Sequence, residues 1–283
     1  MPCMNAPIPP LPLHKAPPDL ASWTAALRDA EIPVLAATAA SLELMRANED
    51  AFDANSIGEM IATDPLMSLK VLAQAAKQRS SRRVTDAETV TSALVLMGIT
   101  PFFNTFGPQP TVEQQLAGQP AALAGLQRVL QRADRAARFA LGFAAHRMDP
   151  DAAVIHSAAS LHDFAEMLLW CHAPALALQI RARQQADHHL RSAAVQREIL
   201  NIELADLEQS LMKAWHLPEL LAQITNDKRR NDPQVQCVRL AVRLARHTAD
   251  GWDDAAIPDD VDEIASLLNL DRDSTQRLLH DLY

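Results

Sequence analysis

Two adjacent residues in this chain could do chemistry: His162 and Asp163, within the run AAVIHSAASLHDFAEMLLW. Neighbouring side chains on a helix project about 100° apart, so this imidazole and carboxylate could reach one metal ion at the helix surface. An ion held there would activate a water for hydrolysis. The dipeptide alone is a weak signal, because 10 histidines in 283 residues give roughly one His-Asp copy by chance. A second copy, His280-Asp281, reads as a solvated C-terminal helix end. Cys171-His172 is not a nucleophile pair by adjacency alone, and His188-His189 has no third ligand near it in sequence. No Ser-His-Asp or Cys-His arrangement assembles, and no two of the 7 glycines have the spacing of a phosphate-cradling loop.

Against metal ligation stands a plainer reading of His162. It lies at i+7 from Ile155 and i+4 from Ala158, on a partly apolar face, where a packed histidine bonded to Asp163 or a backbone carbonyl is the favoured outcome. His156, seven residues before Asp163, is a candidate for a polar cluster or for plain surface exposure. Trp170, at the end of the same run, reads as a plug between lobes.

The elements that must position these residues are helical throughout. Residues 1 to about 17 hold six prolines and read as an irregular leader. Asp19–Asp29 and Ala36–Ala47 are amphipathic, and Asn55 is a cap for a short helix with Ile57, Met60 and Ile61 on one face. Pro65 after Asp64 opens a leucine-rich helix, and Thr85 with Glu88 has capping-box spacing. The stretch 107–120, rich in Pro, Gly and Gln, is the internal boundary. Helices then follow over 121–148, 151–170 and 201–216, after Pro218 and Pro233, and twice within 258–282, with Asp271 as the last N-cap. No segment has strand periodicity. The fold class is all-α, with an N-terminal lobe over about 18–115 and a second lobe over about 119–283.

Composition narrows function further. Apolar residues at 48% and charged residues at 22% suit a soluble globular protein. A net charge of -9 argues against general nucleic-acid binding, so Lys77/Arg79/Arg82/Arg83 and Lys228/Arg229/Arg230 read as solvated loops. Cys3, Cys171 and Cys237 read as reduced thiols of a cytoplasmic protein, and no stretch has the length and apolarity of a membrane span or the layout of an export signal.

Several segments, taken in order, resemble the HDOD family, the HD-related output domains of bacterial signalling proteins. IPVLAATAASLELM at 32–45 is similar to the family's opening, with Ala36 where proline is usual. SIGEMIATDPLMSLKVLAQAA at 56–76 resembles its Asp-Pro signature, and VTDAETVTSALVLMGI at 84–99 the segment ending in a Leu-Gly turn. SLHDFAEMLLW at 160–170 resembles the His-Asp core, and ADLEQSLMKAWHLPELLAQIT at 205–225 the helix ending in Trp-x-Leu-Pro. The likeness spans roughly residues 25–250. It implies a two-lobed, all-helical module of signal transduction, usually without demonstrated catalysis.

The resemblance also implies where metal ligands would stand in a catalytic HD relative. The histidine of the earlier helix falls at Arg132, and the aspartate of the later helix at Val242. His162 and Asp163 remain as two of four ligands, and Ala165-Glu166 replaces the usual Gly-Lys. Leu204 and Asn226-Asp227 stand near the downstream histidines of the branch that cleaves cyclic dinucleotides. An arginine a few ångströms from a divalent ion repels it by several kcal/mol at intermediate dielectric. Asp163 is instead expected to pair with Arg132, and no cofactor is expected. The expected function is a non-catalytic module binding signalling proteins (a sensor kinase, response regulator or cyclic-dinucleotide enzyme) or a small regulatory ligand in the cleft between its lobes. The alternative is a residual phosphohydrolase acting on nucleotides or cyclic dinucleotides. A DNA-touching regulator using the 77–83 or 228–230 loops is the weakest reading.

Overall fold

A computed structural model describes residues 13–78, 87–187, 190–229 and 231–283. Among these residues the chain is helical with no strand. The one isolated bridge pairs Val34 with Thr111 in parallel. Cys3, Arg79, Arg82, Arg83, Thr85, His188, His189, Arg230 and the first twelve residues of the leader lie outside the described residues.

In chain order the helices are α1 (Leu20–Arg28), α2 (Ala36–Arg46), α3 (Ala54–Ala62), α4 (Pro65–Lys77), α5 (Val90–Met97), α6 (Ile99–Thr105) and α7 (Val112–Gln115). The 27-residue α8 (Pro120–His146) follows, then α9 (Ala152–Leu161), α10 (Phe164–His172), α11 (Pro174–Ala186) and α12 (Ser192–Leu200). The last five are α13 (Leu204–Ala214), α14 (Glu219–Ile224), α15 (Pro233–His247), α16 (Ile257–Leu268) and α17 (Arg272–Leu282). They form two compact units, Met1–Val129 with Phe164–His216, and Leu130–Asp163 with Leu217–Tyr283. These interleaved stretches differ from the contiguous lobes 18–115 and 119–283 read from the sequence.

In the first unit, Asp64 does two jobs that explain the Asp-Pro signature. One carboxylate oxygen accepts from the N–H groups of Leu66 (3.0 Å) and Met67 (3.2 Å), capping α4, and the other accepts from Leu35 N–H at 2.8 Å. Pro65 sits at the first helical position, where its missing N–H costs nothing. Burial raises the Asp64 carboxyl's pKa despite these donors and Thr38. Two tryptophans then lock α1 in place: Trp23 Nε1 donates to Leu200 O at 2.8 Å, and Trp215 Nε1 donates to Arg28 O at 2.9 Å.

Three local expectations are corrected. Helix α3 is capped by Asp53 with Ser56 rather than by Asn55, and α5 by Thr89 with Ser92 four residues beyond Thr85. In both cases a side-chain oxygen at the true cap accepts the N–H three residues on, an equally short motif that sequence spacing does not rank. The 107–120 stretch is not a boundary. Val34 and Thr111 pair through Val112 N–H, Thr111 caps α7, and Val112 and Leu116 are buried in the first unit.

The second unit packs α9 against α14 and α15, with α16 on α15 and α17 on α16. Phe139 and Phe143 of α8 stack within it, and Ile155, Leu221, Val238 and Ile264 are fully or almost fully buried. Arg243 Nε lies 2.6 Å from Asp260 Oδ1 and its Nη1 2.9 Å from Glu263 Oε1, fixing α15 on α16. No described helix is long and apolar enough to cross a membrane.

Candidate functional site

The His-Asp doublet lies not within one helix but at the joint between two. Helix α9 ends at Leu161, His162 is its C-cap, and α10 begins at Phe164. The helical periodicity on both sides hides this break in the sequence. At the joint Asp163 is freed from the α9 register, and its carboxylate meets side chains from α8 and α15.

Both of its oxygens are engaged. Oδ2 accepts from Arg132 Nε at 2.9 Å and Nη2 at 2.7 Å. Oδ1 accepts from Arg246 Nη2 at 2.7 Å and lies 3.1 Å from His162 Nδ1. The Asp163 side chain is 11% exposed, Arg132 19% and Arg246 49%. Burial alone would raise this carboxyl's pKa, but Arg246 and Arg132, with His162, outweigh it and hold the group well below the usual carboxylate range. The other ring nitrogen of His162 lies 3.4 Å from Asp227 Oδ1, on the loop after α14. Burial raises the Asp227 carboxyl too, and His162, Arg246 and Arg239 bring it below its ordinary value.

The structure therefore brings together Arg132, His162 and Asp163, and adds Arg246 and Asp227. His156 stands apart on α9. Burial pushes its imidazole's pKa down, and the charge that opposes this is Asp134 on α8. Val242 is buried on α15, one turn before Arg246. That one-turn spacing is the sequence signal for Arg246: positions i and i+4 share a helix face, so Arg246 stands on the same face as Val242.

The remaining candidates are not assembled into chemistry. Cys171 and Cys237 are buried free thiols whose pKa values burial pushes up, Cys237 to about 11. Beside Cys171, burial pushes the His172 imidazole down to about 4. A protonated thiol next to a neutral, enclosed imidazole is not an activated pair. The His280 ring packs against Trp252 at a tilt of 40°, ring centroids 4.2 Å apart.

The residues present do not fit the divalent ion of a catalytic HD relative. A ligating carboxylate needs a free lone pair directed at the ion, and both Asp163 oxygens are already committed to cationic donors. A ligating imidazole needs a bare nitrogen, whereas each His162 nitrogen faces a carboxylate oxygen. Two guanidinium groups supply the double positive charge that a metal would bring. Among the described residues, no three His, Cys, Asp or Glu side chains are grouped so as to hold a metal ion.

Comparison with known proteins agrees with the fold. The HDOD domain model matches residues 32–230, and the chain belongs to that family. The chain is similar in structure to the MmoQ response regulator of Methylococcus capsulatus strain Bath (TM-score 0.64, 20% identity, 88% of this chain and 98% of that one). It is also similar to a virulence factor, cj0248, of Campylobacter jejuni (TM-score 0.66, 16% identity, 92% and 98%). At these identities the likeness is one of fold. No curated protein matches the chain significantly in sequence.

Proposed function

We propose that this chain is a non-catalytic signal-transduction module that acts by binding other proteins or a small regulatory ligand. The observation that carries the reading is the Asp163 carboxylate bound on both oxygens by Arg132, Arg246 and His162. An ion pair of this kind is a structural tie between α8, the α9–α10 joint and α15. It offers no open coordination position and no group to activate a water. Family membership supports a role in signalling, and the description of MmoQ as a response regulator suits the same class. Its partners would be other components of such a system, in the cytoplasm.

The competing reading is a residual phosphohydrolase on nucleotides or cyclic dinucleotides. The test is hydrolysis of bis(p-nitrophenyl) phosphate and of cyclic dinucleotides by the purified chain with added Mn²⁺, Mg²⁺ or Fe²⁺. No turnover above a heat-denatured control is expected. Turnover that disappears in Asp163→Asn would establish the hydrolase instead.

A further inference from the structure

On α15, Arg239, Arg243 and His247 recur every four residues, so they share one face of the helix. Asp260 and Glu263 of α16, three residues apart, meet that face. Arg239 and Arg243 both bond Glu263. His247 is held differently: its Nδ1 lies 2.5 Å from Oδ2 of Asp260, a side chain only 2% exposed. The other oxygen of Asp260 faces Arg243, so the carboxylate is an acceptor and Nδ1 carries the hydrogen. Nε2 is left with the lone pair.

Nε2 makes no hydrogen bond among the described residues, and it is open to solvent on a side chain 29% exposed. The backbone beside it is fixed. Thr248, the C-cap of α15, accepts through its carbonyl from Arg135 Nη1 at 2.9 Å and from the Tyr283 hydroxyl at 3.2 Å. No other described histidine has this arrangement. His162 faces carboxylates on both ring nitrogens, and burial lowers the pKa of His156 and His172. His14, His146, His216 and His280 are exposed, with no described carboxylate bonded to the ring.

An imidazole held through Nδ1 by a buried carboxylate, with Nε2 open, is an oriented nucleophile. Phosphoryl transfer asks mainly for such positioning, because its transition state is loose, whereas acyl transfer also asks for donors to an oxyanion. We propose that His247 Nε2 accepts a phosphoryl group from an N-phosphorylated donor, such as a phosphohistidine side chain of a partner protein. The Nε2 lone pair forms the new N–P bond while the donor's P–N bond breaks, and that bond's electron pair leaves with the donor nitrogen. The hydrogen stays on Nδ1, and the positive charge the ring gains faces Asp260. This covalent input goes beyond the binding role inferred above and does not depend on it.

The probe is potassium phosphoramidate, whose leaving group is ammonia, added to the full chain at mildly alkaline pH, where exposed imidazoles are neutral. Peptide mapping by mass spectrometry locates the label, and phosphorus NMR distinguishes Nε2 from Nδ1 phosphohistidine. His247 is expected to be labelled first, on Nε2, about fivefold faster than any of His14, His146, His216 and His280. His247→Gln is expected to leave only the slow labelling of those four. Asp260→Asn, checked for helicity by circular dichroism, is expected to bring His247 down to their rate. Equal labelling of the five histidines, no label on His247, or a label on its Nδ1 overturns the proposal. So does a His247 rate unmoved in a folded Asp260→Asn. Should that variant lose its helicity, the comparison among the five histidines of the wild type decides alone. Equal labelling in a chain that binds its partners sinks this site and leaves the binding role intact. Metal-dependent turnover sinks that role and leaves this site standing.

Discussion

Asp163 is held by two guanidinium groups and an imidazole, and the energetic consequence is asymmetric. Forming such a pair roughly balances its desolvation, but deleting one partner strands the others. In Asp163→Asn, Arg132 stays 19% exposed beside a neutral amide, whereas half-exposed Arg246 can turn to water. A loss of about 3 kcal/mol is expected by urea denaturation at neutral pH. Its pH dependence has a definite sign. The folded carboxyl lies well below its ordinary value, so its contribution is present above the unfolded value of 3.8 and disappears as pH falls through the folded one. Wild type and Asp163→Asn should therefore converge in stability only below the ordinary carboxylate range.

His172 behaves differently. Its folded imidazole titrates at about 4 against 6.5 unfolded, because burial disfavours the charged ring. On acidification the unfolded chain takes the proton first, so about 3 kcal/mol of stability is lost between those two values as pH falls. His172→Gln should flatten that part of the stability profile, and an unchanged slope would show the ring is not enclosed. The sequence made Asp163 and Arg132 legible because the doublet and its family spacing single them out. Enclosure of His172 was not legible, since it depends on what folds over α10.

At the scale of elements, the caps were legible where Asp stands directly before Pro or begins a polar-to-apolar change, as at Asp64, Asp232 and Asp271. They were illegible where several short polar residues compete, as at Asp53 and Asn55. Asp64→Ala removes an N-cap and also leaves the N–H of Leu35 without its buried acceptor. About 2–4 kcal/mol is expected from those two losses, visible as a lower urea midpoint with an unchanged slope. Gly125 is a different kind of constraint. A methyl group there would lie 2.4 Å from Cη2 of Trp170, so α8 can approach the indole only at glycine. Gly125→Ala should cost about 1–3 kcal/mol by overpacking, and no loss would mean the indole has room to move. The Trp170 ring was read from sequence as a plug between lobes. It packs on Gly125 inside the first unit, a contact invisible until residues 164–216 are known to join the N-terminal part.

For the whole molecule, the all-helical class followed from scarce glycine, abundant alanine and leucine, and the succession of family segments. The division into units did not, because each is assembled from separated stretches and composition along the chain marks only local change. The 107–120 stretch shows why: its turn-forming residues end helices but are pinned by the Val34–Thr111 bridge. The second guanidinium also came from outside the family match, since Arg246 lies beyond residue 230. An ion-pair tie built from α8, the α9–α10 joint and α15 makes one demand on the protein as purified. Elemental analysis after loading with excess Mn²⁺ and desalting should find far less than one transition-metal ion per chain, equally in wild type and His162→Ala. One ion per chain in the wild type, lost in His162→Ala, would contradict the account.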